Sequence, residues 1–214
     1  DMAHWPEQMY SIESTIDMQR MRQIFFAHDK FELGGTARFD GPFHLFKGQA
    51  RPDGSTSAAR ELKGRFRAPT MFVNDYRFDD MNGSVRWLPR SLLVHDARAR
   101  LFGGQSQFKF SMEPLGVRGV KPRNTFDATY ADVNVASVSD FFEMMGLQLA
   151  GPAPGHNRIV WPSGRFADRE WTGEVRVDPP PGLLIVHFYY SGLLALPALE
   201  DLRSRRELRV EAGR

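Results

Sequence analysis

The residues that most readily do chemistry are scattered in this chain of 214. Its six histidines, His4, His28, His44, His95, His156 and His187, fall in no HxxxH or HExxH arrangement. A metal would therefore need ligands gathered from distant segments, and no metal or other cofactor is expected. His44 and His95 have strand-like neighbours and read as packed or rim residues. The acidic pair Asp79-Asp80 lies beside Asn82-Gly83, which suits carboxylates of a turn; a catalytic dyad or a calcium ligand is the sharper alternative. Gly103-Gly104 suits a strand bend, or a close approach of backbone to a ligand. No GxSxG, Walker loop or GxGxxG is present, and without cysteine there is no thiolate and no disulfide. No arrangement generates a nucleophile or a general base, so no catalytic residue is expected and the chain does not read as an enzyme.

Charge excludes little else. Lys and Arg number 28 against 26 Asp and Glu, and the arginines are spread along the chain. Arg98/Arg100 and Arg203-Ser204-Arg205-Arg206 read as solvated surface. Aromatic and basic residues occupy opposite parities, which argues against a stacking platform for single-stranded nucleic acid. No run reaches the ~18 apolar residues of a membrane-spanning helix, and no secretory signal opens the chain. The first residue is Asp1, which suggests a piece of a longer protein.

The elements that would position these residues are mostly strands. Apolar residues recur with period two, facing polar ones of the other parity. The runs are Tyr10/Ile12/Ile16, Phe31/Leu33/Gly35/Ala37/Phe39, Leu62/Gly64/Phe66/Ala68, Tyr76/Phe78 and Val85/Trp87. Leu93/His95/Ala97/Ala99/Leu101, Phe108/Phe110/Met112, Phe126/Ala128/Tyr130, Val133/Val135, Ile159/Trp161 and Val175/Val177 follow. Only 183–188 is apolar on both parities. This pattern predicts a mainly β fold with an antiparallel sheet that is apolar on one side. Turns are expected at Asp40-Gly41-Pro42, 51–54, Asn74-Asp75, Asn82-Gly83, Gly103-Gly104 and 179–182, with Asn82-Gly83 the best tight hairpin.

Two or three short helices interrupt the strands. Asp17 is placed to cap one, with Met18, Met21 and Phe25 on a single face. A second is expected at 137–146, ending at Gly146, and a third from about Pro197 to Arg209. Each early helix precedes a similar run, Phe31-Glu32-Leu33-Gly34-Gly35 and Leu147-Gln148-Leu149-Ala150-Gly151, and then an Arg-Phe pair, Arg38-Phe39 or Arg165-Phe166. The similarity suggests a degenerate repeat, about 10–115 and 126–178, within a unit at 1–178; a strand and helix at 179–214 complete the chain.

The wording Gly35-Thr-Ala-Arg-Phe-Asp-Gly41, Glu61-Leu-Lys-Gly-Arg-Phe66, Tyr76 through Trp87 and Ala97-Arg-Ala-Arg-Leu-Phe-Gly-Gly104 resembles the AsmA-like superfamily. Within it, the chain looks most like an internal segment of the TamB family of translocation and assembly module proteins. The likeness spans roughly 10–178, and the tail from 179 departs from it. The resemblance implies a protein anchored in the inner membrane of a diderm bacterium, on its periplasmic face. It implies a twisted sheet folded like a taco around an apolar groove, associated with phospholipid movement toward the outer membrane. It also implies outer-membrane protein assembly or secretion beside an outer-membrane barrel partner. The family carries no catalytic residues.

By strand parity the groove lining would be Phe66, Phe78, Val85, Trp87, Phe108, Phe110 and Phe126, with acyl chains as the ligand. Arg65, Arg67, Arg98, Arg100 and Lys109 would keep the outer face soluble. Two other readings fit the same alternation. One is a closed β-sandwich or barrel serving as an interaction module, and the other is an outer-membrane barrel with arginines toward its lumen.

Overall fold

The computed structural model describes residues 7–50, 56–134, 136–137, 151–177, 183–191 and 208–213. They form one antiparallel sheet in which every strand pairs with its sequence neighbours. The strands are β1 (Gln8–Asp17), β2 (Leu33–Ala50), β3 (Thr56–Val73), β4 (Tyr76–Leu88), β5 (Ser91–Leu101) and β6 (Gly104–Glu113). They continue as β7 (Arg123–Asn134), β8 (Pro152–Pro162), β9 (Glu170–Val177), β10 (Leu183–Ser191) and β11 (Leu208–Gly213). The spatial order runs from β1 to β11 without a crossover or a closing pair, so the sheet is open. The described strands are therefore not closed on themselves as a barrel, which would require the first and last of them to pair.

One helix, α1 (Met18–Phe25), connects β1 to β2. Asp17 caps it, accepting from the backbone N–H groups of Gln19 at 2.9 Å and Arg20 at 3.1 Å. Met18 is buried while Met21 and Phe25 are half-buried, the face that the spacing predicts. A short 3-10 helix, Phe166–Asp168, lies between β8 and β9. The helix expected at 137–146 lies, apart from Ser137, outside the described residues. So does most of the one expected from Pro197; its final residues Leu208 and Arg209 belong to β11 instead.

Three aspartates set which side chains face inward. Asp80, Asp96 and Asp132 adopt positive φ of 51°, 52° and 57°. Each sits where pairing slips: between Asp79 and Asn82, Val94 and Ala97, and Tyr130 and Val133. Such a bulge adds a residue to one strand, so the apolar parity changes across it. Phe78 and Met81 thus share a face, as do Val94 and Ala97. The run Leu93/His95/Ala97 is therefore corrected in its first half. Leu92 is buried and Val94 pairs with Phe110, whereas His95 is exposed. Asp79-Asp80 is likewise a strand bulge rather than a turn. Aspartate suits the position because its short polar side chain tolerates the left-handed region.

Two expected turns are strand interiors. Asn82-Gly83 lies in mid-β4, with Asn82 opposite Arg67 and Gly83 opposite Phe66. Gly41-Pro42 lies within β2. The glycines there serve close packing: a Cβ on Gly64 would meet the Phe39 ring at 2.7 Å, and one on Gly83 the Phe66 ring at 3.0 Å. Each ring lies across the glycine of the next strand. The tight turns are Asn74-Asp75, Pro89-Arg90 and Phe102-Gly103. The first matches expectation and the last lies one residue earlier than the expected Gly103-Gly104, with Gly104 opening β6; 51–54 and 179–182 lie outside the described residues.

The two glycines of the suggested repeat take positive φ at different places, Gly35 as the third residue of β2 at 97° and Gly151 just before β8 at 109°. The Arg-Phe pairs do not correspond: Arg38-Phe39 is in β2, whereas Arg165-Phe166 opens the 3-10 helix.

Candidate functional site

The sheet has one apolar face and one charged face. Outward side chains pair with one another, across strands in Arg86–Glu61 at 2.6 Å and along β4 in Arg77–Asp79 at 2.8 Å. Arg77 and Thr70 donate to the Asp79 carboxylate, and the Arg77 bond chiefly holds its pKa below the ordinary value of 3.8. His156 meets Asp127, and His44 pairs with Glu7. No cluster of three or more metal-ligating side chains occurs among the described residues. No described helix is long and apolar enough to cross a membrane.

All seven residues named from strand parity lie on the apolar face, and each is half-buried. They divide between two clusters. Val85, Trp87, Phe110 and Phe126 pack around Phe26, Leu92, Met112, Ile159, Trp161 and Trp171. Phe66, Phe78 and Phe108 pack around Met18, Ala37, Ala68, Met71, Met81 and Ala99. Phe108 and Phe126 bridge the groups, their rings 5.4 Å apart.

The face is curled, and chain geometry shows it. The Asp29 carboxylate accepts from the Gly164 N–H at 3.1 Å and the Phe166 N–H at 3.0 Å, just beyond β8. Four residues later Leu33 begins β2. Four residues reach at most ~14 Å. On a flat sheet β2 and β8, six intervals apart, would be separated by ~29 Å. The sheet must therefore fold over until β2 and the turn after β8 approach each other across the apolar side.

That apolar side is partly occupied by the chain itself, a feature the alternation could not show. After α1, residues 26–31 lie against the wall. Phe25 meets Trp87 edge-on at 5.5 Å, and Phe26 meets Phe110 at 5.9 Å. Phe31 meets Phe166 at 5.5 Å, and Phe166 meets Trp161 at 5.2 Å. Phe31 is thus part of this insert rather than of a strand. Arg22 ties the insert together, donating to the carbonyls of Phe31 at 3.0 Å and Asp29 at 2.8 Å.

The far part of β1–β3 is different. Tyr10 stacks loosely on Phe43 at 6.5 Å and stays 49 % exposed. Ile12, Phe43, Leu45 and Leu62 are half-buried on the same face. An apolar surface therefore remains open to solvent beside the filled part.

Polar groups on the inner face escaped the reading from sequence. Asn124 and Asn157 are buried, Asn124 completely, in register with the inward parity of Phe126 and Ile159. That parity was their one signal, hidden because amides ordinarily face water. Asn124 donates to Ser163 Oγ at 3.0 Å, and Asn157 Oδ1 accepts from the Tyr130 hydroxyl at 2.8 Å. Among the described residues Asn124 Oδ1, Asn157 Nδ2 and Trp161 Nε1 have no protein partner. Burial raises the Tyr130 pKa far above its ordinary value of 10.0, since the phenolate would lose its hydration there.

No protein-family description, curated protein or solved structure matches this chain.

Proposed function

We propose that this chain is a segment of an AsmA-like, TamB-like protein that carries phospholipid acyl chains along the apolar face of its curled sheet. It works beside the inner membrane of a diderm bacterium, on the periplasmic side, and moves lipid toward the outer membrane. Support for outer-membrane protein assembly and secretion, beside a barrel partner, belongs to the same reading. The observation that carries it is an open sheet whose concave side is apolar and still half-exposed at Tyr10, Ile12, Phe43, Leu45 and Leu62. A monomeric protein with no ligand has little reason to leave such a strip in water.

The physics requires no reactive group. An acyl chain of ~16 carbons crossing water exposes area worth ~0.8 kcal/mol per methylene, or about 13 kcal/mol. An apolar trough removes most of that cost, while the head group stays wet at the open side. A trough of this kind equilibrates lipid between its ends, so direction is supplied by whatever loads and unloads it.

The test is lipid extraction and mass spectrometry of the protein purified from a cell envelope. Acyl lipids are expected to co-purify, and Leu45→Glu, on the half-exposed strip, is expected to lower their yield with an unchanged far-ultraviolet spectrum. Protein that carries no lipid at all overturns the proposal.

A further inference from the structure

We infer that residues 25–31 are a displaceable occupant of the acyl-chain site, latched in place by Asp29; this rests on the proposed lipid-carrying function. Phe25, Phe26 and Phe31 cover Trp87, Phe110 and Phe166, part of the surface an acyl chain would need. The two occupants are chemically alike: both offer hydrocarbon to hydrocarbon, so exchanging one for the other changes the buried apolar area little.

The construction of the insert suits movement. Arg22 joins α1 to the carbonyls of Asp29 and Phe31 and pairs with Glu32 at 3.1 Å, so helix and loop hold together as a unit. The outer side of the unit faces solvent at Ile24, which is 72 % exposed, and among the described residues no second layer covers it there. Its polar attachment to the β8–β9 turn, among the described residues, is the Asp29 carboxylate on the amides of Gly164 and Phe166. Asp29 is 2 % exposed, and a carboxylate buried to that degree is held by such bonds or not at all. Gly164, at φ 76°, makes room for the contact: a Cβ there would lie 2.9 Å from His28 Cβ. With the latch closed the aromatic wall is covered by the chain. With it open, an acyl chain takes the surface that Phe26 leaves.

The experiment uses palmitate carrying an environment-sensitive fluorophore, titrated into the wild type and three variants whose folding is checked by circular dichroism. Asp29→Ala and Gly164→Ala loosen the latch. Each is expected to tighten apparent binding about tenfold, because a larger fraction of molecules becomes competent. Phe31→Cys with Phe166→Cys, bridged by a short bis-maleimide, fixes the insert shut; the chain has no other cysteine to compete. That crosslinked protein is expected to lose binding. If wild type, Asp29→Ala and crosslinked protein bind palmitate equally, the latch is overturned while the lipid function stands. If none of them binds, both fall together. Hydrogen exchange of the wild type decides the matter independently should a variant fail to fold. The Gly164 and Phe166 amides are expected to exchange faster than those of mid-β7; exchange only at the rate of global unfolding overturns the latch.

Discussion

Two parts of one apolar face behave differently. Across β4–β8 the inner side chains meet Phe25, Phe26 and Phe31, and Leu92, Met112, Ile159 and Trp161 are buried. At the far end of β1–β3 the same kind of side chain meets no such insert among the described residues, and Tyr10 stays half in water. Strand alternation is the same in both. The difference comes from a short insert that reaches one part and not the other. A period-two pattern therefore specifies an apolar face without specifying whether the chain will cover it. Core and binding surface are written in the same residues, and only a third element separates them.

Substitutions can break this comparison. The largest effect is expected at Trp161→Ala, in the covered part. Its ring packs on Phe110 and Phe166, and its loss should cost about 3–5 kcal/mol, read as a lower denaturant midpoint. Gly64→Ala tests the close packing beneath Phe39. A loss of about 1–3 kcal/mol is expected from overpacking, again by denaturant titration.

A pH titration separates the regions without touching a contact. Tyr130 has its folded pKa raised, so its contribution is fully present below pH 10, the ordinary value, and declines as pH rises above it. Stability should fall with alkali, and Tyr130→Phe should flatten that slope. The smallest effect on stability is expected at Tyr10→Ala in the open part, about 1 kcal/mol or less, because its ring is already half-hydrated. The same variant should lower lipid recovery. A large loss of stability there would mean that the strip is core after all.

Much of this was legible residue by residue. Asp17 announced its cap and Met18, Met21 and Phe25 their face, because helix geometry depends on near neighbours. The seven aromatic and aliphatic residues from Phe66 to Phe126 share one side because pleating alternates them, except that Phe78 joins Val85 and Trp87 only through the Asp80 bulge between them. The bulges at Asp80, Asp96 and Asp132 were not legible. An aspartate in a strand looks like any solvated carboxylate until its backbone takes positive φ. Asn82-Gly83 misled for a related reason: a pair that can turn does not have to, and here the glycine makes room for the Phe66 ring.

The sequence by itself determined a one-sided antiparallel sheet, since alternation and hydrophobicity act between adjacent residues and adjacent strands. Tertiary structure decided where that sheet curls, which glycines lie beneath rings, and which part of the apolar wall the chain keeps for itself. Those outcomes depend on contacts between residues as distant as Asp29 and Gly164, and no local pattern encodes which distant partners will meet.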